Sequence, residues 1–376
     1  MQEDKIVVAR LWSRYKGQVP SRAPIILGID PQKYRTICIY LTKNSEEPNF
    51  FKQKGCEAFY LSRKKFLRAF NLYIIYKLAG LLKRKKVDIL HCHRHQATIY
   101  GTIAAKLAGV PVIFSHVHGI DRTKNWRRGL INFVVLRWVN KILTVGESVK
   151  ENILKTNPVV HPEQVLSLGN SIEYERFTDV QLSKQQAKKQ IGLQADSLVF
   201  GTLARMVPNK GHIYLIRAFE KVKKTLPSAQ LVFIGDGRLR GELETQAHKL
   251  VPNCVHFLGH RDDIPQLLKA IDVYVQPSIG SEGLPKGLLE AMAAGVPCIG
   301  TQVGGIPEII ANDEGEYLVP PKDDSALAEA MLKVTTVPEP KLRRLVQNAR
   351  DKVQRDHGHS VVIKRLENIY EIEINR

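Results

Sequence analysis

Short apolar runs separated by stretches of helical spacing recur along all 376 residues, and this alternation constrains the fold more than any other feature. In the first half, Lys5–Leu11, Thr36–Leu41, Val87–His91, Val112–Ser115 and Ile142–Val145 read as strands. In the second half, Leu198–Leu203, Gln230–Gly235, Val255–Leu258, Val273–Gln276 and Val296–Gly300 do the same, with helices such as His212–Lys224 and Ala326–Val334 between them. Strands alternating with helices predict parallel sheets covered by helices on both faces. The length exceeds one usual domain, so two are expected. The polar stretch Asn170–Val180 reads as the linker, dividing the chain into residues 1–170, residues 171–355 and a C-terminal helix over 356–376.

The chemistry concentrates in Ser281–Gly300, SEGLPKGLLEAMAAGVPCIG, where Glu282 and Glu290 stand eight positions apart. Glu282 lies in a Ser/Gly/Pro-rich turn and Glu290 on an apolar-patterned helix over Gly287–Ala294. If much of the interval is helical, the carboxylates are about 10 Å apart. That separation spans the sugar ring and the ribose of a nucleotide-diphosphate sugar, and a carboxylate accepts two hydrogen bonds from a vicinal diol. The diphosphate between them would meet the helix N-terminus near Leu284, Pro285, Lys286 and Gly287, whose N–H groups favour anions. Arg205 and Lys210 follow the strand Leu198–Leu203, at the carboxyl end where ligands of open α/β sheets bind. Two cations there suit a diphosphate and oppose the negative charge that grows on it as the glycosidic bond breaks.

These blocks resemble a known family. Glu282-x7-Glu290 resembles the E-x7-E signature of retaining glycosyltransferases of the GT-B fold, in particular glycosyltransferase family 4, and the resemblance implies a bacterial member. Asp88-Ile-Leu-His91-Cys-His93 is similar to the family's D-x-x-H-x-H, and Gly109–Gly119 (GVPVIFSHVHG) to its G-x-P-x-x-x-(S/T)-x-H-G block. Asn170–Phe177 is similar to its N-G-I-D…F linker, and Gly201–Gly211 (GTLARMVPNKG) to its G-R-L-x-x-x-K-G pattern. The resemblance covers most of residues 88–320. It implies an α/β chain of two Rossmann-like domains facing across a cleft, with the C-terminal helix crossing back to the first.

It further implies that Arg205 and Lys210 hold the diphosphate, Glu290 the ribose and Glu282 the donor sugar, with Leu284–Gly287 at the phosphates. His118 would contact the sugar hydroxyls and polarise the reacting centre. Gly17 stands alone where the family carries a glycine pair for the phosphates, and Gly304-Gly305 resembles a family loop near the donor. No cofactor and no metal are expected. His91, Cys92, His93, His95 and His116 have a spacing that fits no closed zinc pattern.

Charge points to a second partner. Residues 1–170 hold 29 Lys and Arg against 11 Asp and Glu, and residues 171–376 hold 27 against 26, so nearly all of the +19 belongs to the first half. Tyr60–Lys86 places Phe66, Leu67, Phe70, Tyr73, Ile74 and Leu81 at helical spacing between basic clusters, and Arg122–Arg128 puts Trp126 among cations. A basic helix bearing aromatics reads as a surface for anionic membrane, compatible with one face packing in a core. Nucleic-acid modules are absent from the sequence. No run of about 18 apolar residues occurs. The acidic, strand-like N-terminus is unlike a signal peptide, and five scattered cysteines fit a reducing compartment.

The expectation is a cytoplasmic enzyme, peripheral at the inner membrane face, passing a sugar from a UDP- or GDP-sugar to a lipid-linked or glycan acceptor. Its expected place is cell-envelope polysaccharide or lipopolysaccharide biosynthesis. The alternatives are a soluble sugar-phosphate or sucrose-type synthase and a non-enzymatic basic binding protein.

Overall fold

A computed structural model of the chain describes residues 5–17, 23–63, 71–119, 126–280, 282–310 and 317–376. They form two compact units, Met1–Ser171 with His359–Arg376, and Ile172–Gly358. The first holds strands β1 (Ile6–Tyr15), β2 (Tyr34–Lys43), β3 (Glu57–Ser62), β4 (Ile89–His93), β5 (Val112–Val117), β6 (Lys141–Thr144) and β7 (Val165–Ser167). They pair in the order β3-β2-β1-β4-β5-β6-β7, all parallel. The second holds β8 (Val199–Leu203), β9 (Gln230–Ile234), β10 (Val255–Gly259), β11 (Val273–Gln276), β12 (Cys298–Thr301) and β13 (Leu318–Val319), in the parallel order β10-β9-β8-β11-β12-β13. Strand order reverses beside β1 in the first sheet and beside β8 in the second, which creates a crevice at the carboxyl ends where α/β sheets bind ligands.

Three strands escape the pattern of apolar runs. β7 and β13 are only three and two residues long, and β3 is an edge strand mixing polar with apolar positions. The segment Tyr60–Lys86 is not one helix. Tyr60–Ser62 completes β3, held by the cross-strand pair Tyr40–Tyr60 with ring centroids 5.6 Å apart. The helix is Leu72–Arg84, started by Asn71, whose side chain accepts from the Ile74 amide. Phe66, Leu67 and Phe70 lie outside the described residues. A helix, Trp126–Val135, begins inside the basic stretch Arg122–Arg128. The linker stretch carries the short helix Tyr174–Thr178, because Tyr174 and Phe177 bury in the second unit.

The chain leaves the second unit at Gly358, between the helices Glu339–His357 and His359–Ile374. Val362, Leu366 and Tyr370, spaced four apart, form the buried stripe of the last helix and enter the first unit's core with Val8, Ile89, Val112 and Phe114. Full burial of one such side chain stabilises by about 1.5–3 kcal/mol, so this helix is part of the first unit's core and not an appendage. Among the described residues no helix is long and apolar enough to cross a membrane.

Candidate active site

The second sheet assembles the expected donor residues at its reversal point. β8 ends at Leu203; Arg205 follows, exposed, while its neighbour Met206 is fully buried and pins the turn. A 3-10 turn, Pro208–Lys210, then presents Lys210. Gly211 has φ +67°, and a β-carbon there would collide with the Pro277 carbonyl beyond β11. The loops after the two adjacent strands are thereby pressed together. Across that junction Lys210 Nζ lies 2.7 Å from both Oε1 and Oε2 of the buried Glu282.

Glu282 is further fixed by a chain of buried side chains along β11 that sequence reading missed. Tyr274 donates to Gln276 Oε1 at 2.9 Å, Gln276 Nε2 to Ser278 Oγ at 2.9 Å, and Ser278 Oγ to Glu282 Oε2 at 3.1 Å. The available signal was a glutamine and a serine closing an otherwise apolar strand, VYVQPS. Pro285 then precedes the helix Lys286–Ala293, whose N-terminus has no side-chain cap. Gly287 in its first turn sits so close to β8 that a β-carbon would meet the Leu203 carbonyl at 2.5 Å and the Tyr274 hydroxyl at 2.9 Å. The helix therefore starts uncapped and packed on the end of β8, and a helix start of this kind favours anions. Leu284 is buried beneath it, and Gly305 N donates to Gly283 O at 2.8 Å, tying in the loop after β12.

Glu290 lies one turn further along, with Lys286 Nζ 3.5 Å from its Oε1 and Arg176 nearby on the packed helix Tyr174–Thr178. Burial pushes its carboxyl above the ordinary value, with Lys286 and Arg176 pulling the other way. His212, behind Lys210, is buried against Phe233 and has no hydrogen-bond partner among the described residues. Burial and the neighbouring Lys210 lower it to about 4. A cavity of about 160 Å³, lined by Met292, Cys298, Ile309, Leu342 and Leu345 together with Arg344, Asn348 and Lys352, includes none of Arg205, Lys210, Glu282 and Glu290.

In the first unit, Gly17 follows β1 with φ +83° and lies against the Glu47 carboxylate. His118 follows β5 and stacks on His116, ring centroids 4.6 Å apart and planes 7° from parallel. His91, His93 and His116 each offer a ring nitrogen within 4.8 Å of the others, and all are buried. As metal ligands they are poorly set. Arg10 Nη1 lies 2.9 Å from His91 Nδ1, and a guanidinium only donates, so the ring hydrogen of His91 sits on Nε2, 3.1 Å from His116 Nδ1. A metal would have to displace that hydrogen beside a fixed positive charge.

Two parallel sheets of this order, with a largely buried Lys–Glu pair at the second reversal point, are the architecture of a GT-B glycosyltransferase. Comparisons agree. Residues 183–352 match the model for glycosyl transferases group 1, and residues 38–176 match that for glycosyltransferase family 4. An Escherichia coli UDP-Gal:alpha-D-GlcNAc-diphosphoundecaprenol alpha-1,3-galactosyltransferase is 30% identical over 317 residues, covering 81% of this chain and 79% of the relative. Anabaena HepE, solved with UDP and glucose, superposes with a TM-score of 0.80 at 18% identity, over 97% of this chain and 99% of that one. Sucrose-phosphate synthase from Thermosynechococcus elongatus also superposes at 0.80, with 16% identity and 98% of each chain covered. The chain belongs to glycosyltransferase family 4.

Proposed function

We propose that this chain is a retaining, metal-independent hexosyltransferase that takes its sugar from a UDP-sugar and delivers it to a lipid-linked glycan in cell-envelope polysaccharide assembly. The observation that carries the donor half is the Lys210–Glu282 pair at the β8/β11 reversal. An ammonium has three hydrogens; two point at Glu282, and the third remains for a phosphate oxygen. Arg205, exposed and without an ion pair among the described residues, supplies the second cation. Glu282 then accepts from the sugar hydroxyls, Glu290 from the ribose diol, and the N-terminus at Pro285–Gly287 meets the diphosphate. Fixed cations and a helix terminus take the place a metal would hold. His118 contacts the sugar hydroxyls and polarises the reacting centre. The choice of a UDP-sugar and a diphospholipid-borne acceptor is supported by the galactosyltransferase relative.

The acceptor half rests on the surface of the first unit. Among the described residues, nine of the ten exposed large hydrophobics lie between Leu72 and Trp138, including Tyr73, Tyr76, Leu130 and Phe133. They sit on the helices Leu72–Arg84, His95–Ala108 and Trp126–Val135, which pack in that order, and on the 3-10 turn after them. Exposed Lys83, Arg84 and Lys86 close the first helix. Apolar side chains beside cations suit an anionic lipid surface and favour this reading over a synthase acting on a soluble sugar phosphate.

The test is calorimetric titration with UDP-galactose, UDP-glucose and GDP-mannose, with and without EDTA. One UDP-sugar should bind in EDTA, and Arg205→Ala and Glu290→Ala should each weaken it, since a charge-assisted contact contributes about 1.5–3 kcal/mol. Unchanged affinity in both variants, or binding that requires added manganese, would sink the donor assignment.

A further inference from the structure

One face of the first sheet carries a row of buried side chains that leads to His118. Side chains two apart on a strand share a face, and register sets their neighbours. Arg10 pairs with His91 and Trp12 with His93 across β1 and β4; His91 pairs with Phe114 and His93 with His116 across β4 and β5. The rings stack along the rows: Trp12 on His93 at 4.7 Å and 5°, His93 on His91 at 4.7 Å and 14°, His116 on His118 at 4.6 Å and 7°.

Arg10 is the anomaly. It is 1% exposed in the middle of an apolar strand, it forms no salt bridge among the described residues, and its Nε and Nη2 have no hydrogen-bond partner there. Burying a guanidinium so incompletely satisfied is costly, and an apolar side chain of similar volume would serve stability better. Its guanidinium stands over the Tyr370 ring, 5.6 Å from the centroid, and donates to His91 Nδ1, while Tyr370 of the last helix places its hydroxyl 2.5 Å from the same nitrogen.

We propose that Arg10 and Tyr370 are positioning residues that lock the tautomers of an imidazole array ending at His118. Two donors converge on His91 Nδ1, so its ring hydrogen stays on Nε2. That hydrogen is donated to His116 Nδ1, 3.1 Å away, which places the hydrogen of His116 on Nε2 and fixes its ring plane. His118 stacks on that plane, so its orientation descends from Arg10 through two defined hydrogen bonds and one ring contact. A neutral donor in place of Arg10 could rotate or accept and would leave both tautomers open; a guanidinium cannot. This inference rests on the reading of His118 as the group that meets the sugar.

The test uses the full chain labelled with ¹⁵N-histidine, long-range ¹H–¹⁵N spectra to read each tautomer, and release of UDP from UDP-galactose. In wild type, His91 and His116 should both be Nε2–H tautomers. Arg10→Met should mix them, keep or raise the melting temperature, and lower kcat on the order of tenfold or more with KM for the donor unchanged. Tyr370→Phe should shift both readouts the same way by less, and Arg10→Lys, which retains a donor-only cation, should recover part of the loss. Unchanged tautomers in Arg10→Met and Tyr370→Phe, or shifted tautomers with wild-type kcat, would overturn the lock. A large drop in melting temperature in Arg10→Met, with tautomers intact in Tyr370→Phe, would make Arg10 merely structural and overturn it too. Wild-type UDP release by His118→Ala would instead remove the reading of His118, while the spectra still decide the lock by themselves.

Discussion

Lys210 and Glu282, 72 positions apart in sequence, meet in a chelated ion pair with Nζ 2.7 Å from each carboxylate oxygen. Both side chains are largely buried, and Ser278 supplies a further donor to Glu282. The pair joins the loop after β8 to the loop after β11, so it fixes how the two loops meet.

Lys210→Met is therefore expected to lose stability as well as turnover. It leaves a buried carboxylate without its cation, which costs about 3 kcal/mol. The double variant Lys210→Met/Glu282→Gln should regain most of that stability and none of the UDP release. Urea denaturation with a UDP-release assay separates the two effects. A double variant no more stable than the single one would mean that the pair is not what holds the loops.

Glu290 should give donor binding an acid limb. Burial holds its carboxyl above the ordinary glutamate value, so protonation begins at a higher pH than for a solvated glutamate. Once protonated it offers the ribose diol a weaker acceptor. UDP-sugar affinity should thus fall as pH drops toward the acid range, and Glu290→Gln should bind less tightly with a flatter profile. Calorimetry across a pH series checks this; an identical slope in the variant would assign the limb to another group.

His212 should make the fold acid-sensitive. Its folded value is lowered to about 4, whereas the unfolded chain takes up that proton near the ordinary 6.5. Between these values the unfolded state binds more protons, so stability is full above 6.5 and is lost as pH falls toward 4, by at most about 3 kcal/mol. His212→Leu removes the group and keeps the apolar contact with Phe233. Its unfolding free energy should fall less than that of wild type between pH 6.5 and 4.5; parallel curves would contradict the assignment.

Vesicles of phosphatidylglycerol and phosphatidylcholine should sediment with the wild-type chain at low ionic strength. Neutralising Lys83, Arg84 and Lys86 should weaken binding and its salt dependence, each contributing on the order of 1 kcal/mol within a Debye length of about 8–10 Å. Lys85 is left intact because it already pairs with Glu57. Leu130→Ser with Phe133→Ser should instead remove the binding that survives high salt. A wild-type chain that remains in the supernatant with anionic vesicles would defeat the membrane reading.

The alternation of apolar runs placed ten of the thirteen strands among the described residues, because a strand of a covered parallel sheet must be apolar on both faces and therefore stands out. Lys210 and Glu282, which the structure brings together, stood out for a related reason. Polar residues that close buried strands, or that open a glycine-flanked helix, have few structural uses. Of the basic segment Tyr60–Lys86, Tyr73, Ile74 and Leu81 lie on the helix Leu72–Arg84, whereas Tyr60–Ser62 belongs to the edge strand β3, where Tyr60 pairs with Tyr40.

The sequence by itself determined which elements form, that two parallel sheets result, and which chemical groups stand at the ends of β8 and β11. Those properties are local, set by periodicity and by turns of a few residues. Only the tertiary structure decided that Lys210 pairs with Glu282, that Gln276 and Ser278 relay to that carboxylate, and that Arg10 and Tyr370 converge on one nitrogen of His91. Arg10 and Tyr370 are separated by most of the chain, and nothing in their local sequence links them. They meet because the last helix buries Val362, Leu366 and Tyr370 against the first sheet, and burial of an apolar stripe is indifferent to sequence distance.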